Sequence, residues 1–349
     1  MGTSARPNIH FFTPETVKRA PKKRKKPSSR HTDKPKERYR LTNWPDYNRA
    51  LIQRGRLQLW LDEQTLQNWY YSGQRHRGGA YRYSDACIEC ALQLKYVLGL
   101  AFRQTQGLLT SLIELMGMNL QIPSYSQLCR RQAQLSQQLP AKSEASLNPQ
   151  GLYVVVDSTG LKVYGEGEWK VRQHGFSKRR SWRKVHLAYD ESTHQILAIS
   201  LTNNDIDDAS VLKPLLEEVS LPINKVAADG AYDRQKVYDY LQERQIQVLI
   251  PPRVNAIVWK NKEGQLLDHQ RNQAVIACKE LGSSEWKKQT GYHRRSMAET
   301  AMYRLKNTFS ERLKSRLINN QKVQVRIKAT CLNLFSNLIR PQTVKIITN

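Results

Sequence analysis

Leu152-Tyr153-Val154-Val155-Val156-Asp157-Ser158-Thr159-Gly160 is the stretch on which the fold of this chain turns. An unbroken apolar run into three valines reads as a strand covered on both faces in the middle of a sheet. Asp157 stands where that strand is expected to end, ahead of a small-residue turn. An acid at the rim of a sheet is within reach of a metal or a substrate. Asp-Ser-Thr-Gly is equally ordinary turn-capping chemistry, and both readings stay open on this stretch alone.

A second strand has the same design. Lys225-Val226-Ala227-Ala228-Asp229-Gly230 runs apolar into an aspartate and a glycine, and a helical pattern starts near Asp233. Asp233 is a rival acid, better suited to capping the helix it opens. The third piece, Tyr292 to Lys306, has no helix breaker and reads as one helix. At about 100° per residue Tyr292, Arg295, Glu299 and Lys306 fall on one polar stripe roughly 60° wide. Ala298, Ala301, Leu305 and Phe309 form the apolar stripe beside it. An acid flanked by a tyrosine, an arginine and a lysine suits a metal site that handles phosphate. A solvated face of intrahelical ion pairs would show the same spacing.

Length and charge bound the rest. The 349 residues carry 56 Lys+Arg against 30 Asp+Glu, a net charge of +26, which points to a polyanionic partner, nucleic acid above all. There is no apolar run long enough to span a bilayer, no basic amphipathic helix with a bulky apolar face and no signal peptide, so a soluble intracellular protein is expected. Five cysteines suit a reducing compartment. Cys87 and Cys90 form a CxxC without a second ligand pair, which reads as core packing rather than zinc.

Residues 1–40, with 13 Lys+Arg, 3 Asp+Glu and five scattered prolines, read as a disordered basic arm that grips DNA phosphates without sequence preference. From Leu41 the composition turns globular. Helices are expected from Ala86 to Leu98, from Arg103 to Met116 and, capped by Ser124, from Tyr125 to Leu135. The last carries Arg130 and Arg131, so residues 41–148 read as a helix-turn-helix DNA-binding domain or as a helical bundle that only supports the core. A linker follows at 140–149. Between Glu168 and His186 seven Lys/Arg are interleaved with aromatics, and Trp169, Arg179 and Arg180 are candidate DNA contacts. A strand pair, Trp182–Tyr189 and Gln195–Thr202, should follow, then a helix, the Asp229 strand, another helix, and a strand from Gln247 to Ile250. Residues 253–290 are too long for a loop and read as an inserted subdomain. A final amphipathic helix, about Gln321 to Leu338, should close the core.

Strands and helices in this order define an α/β domain with a mixed sheet. Asp157-Ser158-Thr159-Gly160-Leu161-Lys162-Val163 with Gly165-Glu166-Gly167-Glu168-Trp169, then Ala228-Asp229-Gly230-Ala231-Tyr232-Asp233, then Tyr292, Arg295, Glu299 and Lys306 at their spacing closely resemble the DDE transposases of bacterial insertion sequences. The likeness is strongest to the insertion-sequence-five group, in its branch named for element nine-hundred-and-three, and runs from about Leu41 to the C-terminus. The resemblance implies an RNase H-like catalytic core over 149–349 with the insertion at 253–290. It makes Asp157, Asp229 and Glu299 the metal-binding triad and gives Tyr292, Arg295 and Lys306 to DNA-end phosphates. It also implies two Mg²⁺ ions, with Mn²⁺ as a substitute, terminal inverted repeats and target DNA as partners, a homodimer on DNA, and a cytoplasmic, nucleoid-associated protein. Two metals about 3.5–4 Å apart at one phosphate need several converging carboxylates, in agreement with the triad. A plain metal-dependent nuclease and a DNA-binding regulator that keeps the fold are the alternatives; three intact acids speak for an enzyme.

Overall fold

The structure is a computed structural model that describes residues 36–74, 81–140, 151–163 and 182–348. It divides into two units. One joins β1 (Lys36–Leu41) antiparallel to β8 (Thr343–Thr348), Arg38 opposite Ile346 and Arg40 opposite Val344. The basic arm expected over 1–40 therefore gives way to a strand at residue 36; residues 1–35 lie outside the described residues.

The second unit, Asn43–Pro341, begins with α1 (Trp44–Gln53), α2 (Glu63–Gln67), α3 (Asp85–Val97), α4 (Phe102–Leu115) and α5 (Tyr125–Gln132). Side chains start these helices as the sequence suggests. The Ser84 hydroxyl accepts from Cys87 N–H, and Ser124 and Gln127 close a reciprocal capping box. Cys87 and Cys90 are buried on α3, and burial pushes the Cys90 thiol up to about 12.

The sheet is built around β2 (Leu152–Val163). On one edge β3 (Trp182–Asp190) runs antiparallel to it and β4 (Ile196–Asn203) antiparallel to β3. α6 (Asp208–Glu217) then leads to β5 (Ile223–Ala227), parallel to β2 on its other edge, and α7 (Gln235–Glu243) to β6 (Gln247–Leu249), parallel to β5. Next come α8 (Gln270–Leu281), α9 (Ser283–Gln289) and α10 (Ser296–Phe309). β7 (Arg312–Leu313) pairs parallel with the far end of β2, and α11 (Ile318–Asn337) closes the unit. The order is β4-β3-β2-β5-β6, a mixed sheet.

Both faces of β2 are covered. Val154 and Val156 pack with Leu212, Leu215 and Leu216 of α6 and Val237 and Leu241 of α7. Val155 and Leu161 pack with Ala298, Ala301 and Leu305 of α10 and Val323 and Ile327 of α11. The same cluster takes in Ile88, Leu92, Leu109 and Leu128 from α3, α4 and α5. α11 buries side chains around most of its circumference, so it has helices on one side and the sheet on the other. Trp60 stands edge-on to Phe335, and Arg326 pairs with Glu89 at 2.7 Å. The helical segment and the sheet thus share one apolar core.

Two sequence expectations change. β2 does not end at Asp157; it continues through Ser158-Thr159-Gly160 to Val163. Gly160 is no turn residue, because a Cβ there would lie 3.1 Å from the Trp182 ring. Within residues 253–290, α8 and α9 lie along the sheet edge, with Ala274 and Trp286 packed on Ala227 and Leu249. The helix expected from Tyr292 opens instead as a 3₁₀ turn, Tyr292–Arg295, ahead of α10. Among the described residues no helix is long and apolar enough to cross a membrane.

Candidate active site

Strand register brings the first two acids together. β5 pairs with β2 up to Val155 opposite Ala227, and β7 takes up the same edge only at Lys162. Asp157 lies in the interval between them, two residues past Val155, and Asp229 lies two residues past Ala227. Side chains alternate across a sheet, so both carboxylates turn to the α10 face, on neighbouring strands.

Each acid has a local anchor. Ser158 N–H donates to Asp157 Oδ1 at 2.9 Å, and Ala231 N–H donates to Asp229 Oδ1 at 2.9 Å, where Asp229 caps the short turn Gly230–Tyr232. Asp157 is 8% exposed. Burial raises its pKa; Arg295 and the Ser158 N–H oppose this, and Asp229 adds to it. Two carboxylates in electrostatic reach of one another, one of them desolvated, call for a cation.

Arg295 supplies it. Its Nη1 donates to Glu299 Oε1 at 2.7 Å and its Nη2 to Asp157 Oδ2 at 3.2 Å, so the guanidinium ties the acid of α10 to the acid of β2. Burial acts against the Arg295 charge, and Asp157, Tyr292, Asp229 and Glu299 outweigh it, raising its pKa. Glu299 itself is 59% exposed. Among the described residues no group of three or more His, Cys, Asp or Glu is set to hold a metal ion, and Glu299 is engaged by the guanidinium.

Tyr292 is not on an exposed stripe. It packs with Trp286, Ala274 and Ala227, and burial pushes its hydroxyl up to about 12, with Arg295 opposing and Asp229, Asp157 and Glu299 adding to the shift. Lys306 is partly exposed two helical turns beyond Glu299 and acts electrostatically on Glu311. Arg130 is exposed on α5, its Nε 3.4 Å from Ser126 O. Arg131, expected to reach DNA, faces inward: it donates to Tyr83 O at 2.8 Å, pairs with Asp85 and stacks on the Tyr81 ring, which spends its charge at the start of α3. Trp169, Arg179 and Arg180 lie outside the described residues. Asp233 does not cap α7; Arg271 Nε donates to it at 2.6 Å.

A buried polar layer behind the acids has no clear signal in the sequence. Tyr232 is buried with its hydroxyl unpartnered, in electrostatic reach of Asp208, Asp157 and Asp229. His186 pairs across the sheet with Ser158, beside Asp157, and faces inward rather than toward DNA. Its Nε2 is 2.9 Å from Thr202 Oγ1, and its Nδ1 is 3.7 Å from Asp208. Burial drives its pKa down to about 4, with Asp208 opposing. The native state thus binds fewer protons than the unfolded chain, and stability present above the ordinary histidine pKa is lost on acidification. The expected loss from His186 between about pH 7 and pH 4 is about 3 kcal/mol. Denaturant titrations of wild type and H186Q should differ by that amount in their pH dependence; parallel curves would assign the acid sensitivity elsewhere.

A mixed α/β sheet that carries two aspartates on adjacent strands and a glutamate on the helix facing them defines a class of carboxylate-centred sites. A family model described as "Transposase DDE domain" matches residues 149–334, and a second with the same description matches residues 52–166. The chain belongs to the transposase DDE domain family. Among solved structures, a piggyBac transposase synaptic complex with hairpin DNA matches at 10% identity and a TM-score of 0.34, over 86% of this chain and 77% of that one. A Drosophila P element transposase strand transfer complex matches at 11% identity and a TM-score of 0.30, over 80% and 70%.

Proposed function

We propose that this chain is the transposase of a bacterial insertion sequence of the insertion-sequence-five kind, with an RNase H-like core that cleaves element ends at their terminal inverted repeats and joins the 3′-hydroxyl ends to target DNA. The observation that carries this reading is the register of β2 and β5, which puts Asp157 beside Asp229, with Arg295 linking Asp157 to Glu299. Hard carboxylate oxygens around a desolvated aspartate fit Mg²⁺, or Mn²⁺ in its place. Asp157, Asp229 and Glu299 would hold it once Glu299 leaves the guanidinium. The bound ions would supply Lewis-acid stabilisation at a phosphate and activation of a water or a 3′-hydroxyl.

The chain's own residues do the rest. Arg295, shared between two acids, carries a charge that can pass to a phosphate oxygen, and its buried Nε has no partner yet. Lys306 extends positive charge along α10. Asp229 is fixed by the Ala231 N–H, so the second acid is preorganised. Two element ends in one event imply two copies of the chain on DNA.

The test is a labelled terminal-repeat duplex with target plasmid and Mg²⁺. Wild type should form joined products, and E299A should lose them while still shifting the duplex in a gel. Joining that survives E299A would remove Glu299 from the ligand set. Nicking without joining would reduce the protein to a nuclease, and a shift without cleavage to a binder.

A further inference from the structure

The chain between β6 and α8, residues 250–269, has no helix and only one isolated bridge, Lys260 to Leu266, yet it is held firmly. Arg271 of α8 donates from Nη1 to Ile257 O at 2.7 Å and stacks on the Trp259 ring at 4.2 Å. Asn272 accepts from Trp259 N–H at 2.7 Å and donates to Trp259 O and Leu267 O, both at 2.8 Å. Both side chains are buried. An irregular segment pinned by buried polar groups is the usual build of a binding loop.

This loop walls a cavity of about 730 Å³ whose lining includes Arg234, Arg253, Lys260, Arg271, Asp233 and Trp259. Its charge is unbalanced. The Asp233 oxygens are taken by Arg271 and by the Arg253 N–H, which leaves no acid for the other cations. Arg234 comes no nearer to a carboxylate than 4.0 Å, at Asp207. Arg253 and Lys260 are exposed and have no side-chain partner among the described residues. Beside them Val254 is fully exposed and Ile257 75% exposed. Free cations next to bare apolar groups suit a phosphate and its sugar together.

The cavity's place in the fold relates it to the acids. Asp233 follows Asp229 by four residues across the short turn, and Arg253 follows β6, the neighbour of β5. The pocket therefore opens at the end of the parallel strands where β5 delivers Asp229. We infer that this pocket binds a phosphodiester of the DNA strand adjoining the one presented to the acids, through Arg253 and Lys260, with Val254 and Ile257 against the deoxyribose. The inference rests on the proposed reading of the acids.

The experiment measures DNA affinity of the full chain by fluorescence anisotropy in EDTA, so that no metal chemistry enters. The probe is a terminal-repeat duplex, titrated at several salt concentrations between about 50 and 200 mM. R253A and K260A should each reduce the slope of log K against log salt by about 0.9, which is about eightfold in affinity near 0.1 M salt. A single neutral methylphosphonate linkage, moved along the duplex, should weaken wild type at one or two positions next to the cleaved bond and weaken R253A less there. Unchanged slopes in both variants would overturn the inference, as would a sensitive linkage more than a helical turn from the cleaved bond. So would a pocket that binds a nucleoside monophosphate at micromolar level while the duplex slope stays fixed. Failure of wild type to join ends with Mg²⁺ would instead strike the proposed function.

Discussion

D157N is expected to raise folding stability at neutral pH while lowering strand joining by about 10³-fold or more, since a metal's charge stabilisation is worth several kcal/mol and each 1.36 kcal/mol is a factor of ten. The two effects share one cause. Burial lifts the Asp157 pKa, and Asp229 adds to the lift, so that the Arg295 and Ser158 interactions do not restore it. The native carboxyl therefore holds its proton more tightly than the unfolded one, and wild type loses stability as pH rises through the window above about 3.9. Asparagine does not titrate. The stability gap between variant and wild type should open as pH rises and close in acid. The amide oxygen can still accept from Ser158 N–H, which keeps the backbone of β2 in place, while the NH2 replaces Oδ2 and leaves Arg295 paired with Glu299 alone. Denaturant midpoints near neutral and acid pH, with the joining assay beside them, check both halves. A D157N protein less stable than wild type at neutral pH would mean that the Arg295 pair outweighs desolvation. Strain of this kind is common where function and stability conflict.

What could be read in advance follows the range of each interaction. The valines of β2 announced a doubly covered strand because burial on both faces removes polar alternation. The Arg295–Glu299 pair was legible because i,i+4 neighbours on a helix meet. Which residues pair between β2 and β5 was not, because register is settled by packing across the whole sheet. The end of β2 was misplaced because Ser-Thr-Gly has turn chemistry, whereas Gly160 answers to the Trp182 ring. Tyr292 left the expected stripe because a 3₁₀ turn advances about 120° per residue, which shifts the phase of everything before Ser296. Arg131 carries the residue type of a DNA contact, but its position three residues after Leu128 puts it on the inner face of α5. Asp233 and Arg271 are 38 residues apart, and no local rule pairs them.

R271A should be among the most destabilising single changes in the chain, at about 3–5 kcal/mol, because it strands a buried carboxylate. The Asp233 side chain is 1% exposed. Arg271 meets it with two donors, Nε at 2.6 Å and Nη2 at 3.3 Å, and without them only the Arg253 N–H at 3.3 Å remains. The stacking on Trp259 and the bond to Ile257 O go with the same side chain. Domains of ordinary stability hold about 5–15 kcal/mol in total, so the loss would approach unfolding at growth temperature. The cost belongs to the orphaned charge more than to the pair, and that is separable. D233N/R271M removes both charges and keeps bulk, so it should recover most of the loss, and the coupling in the double-mutant cycle should be large. Urea titrations of the two single variants and the double variant measure it. If D233N/R271M is as unstable as R271A, the loss comes from the Trp259 and Ile257 contacts, and the loop that walls the basic pocket is held by packing rather than by the ion pair.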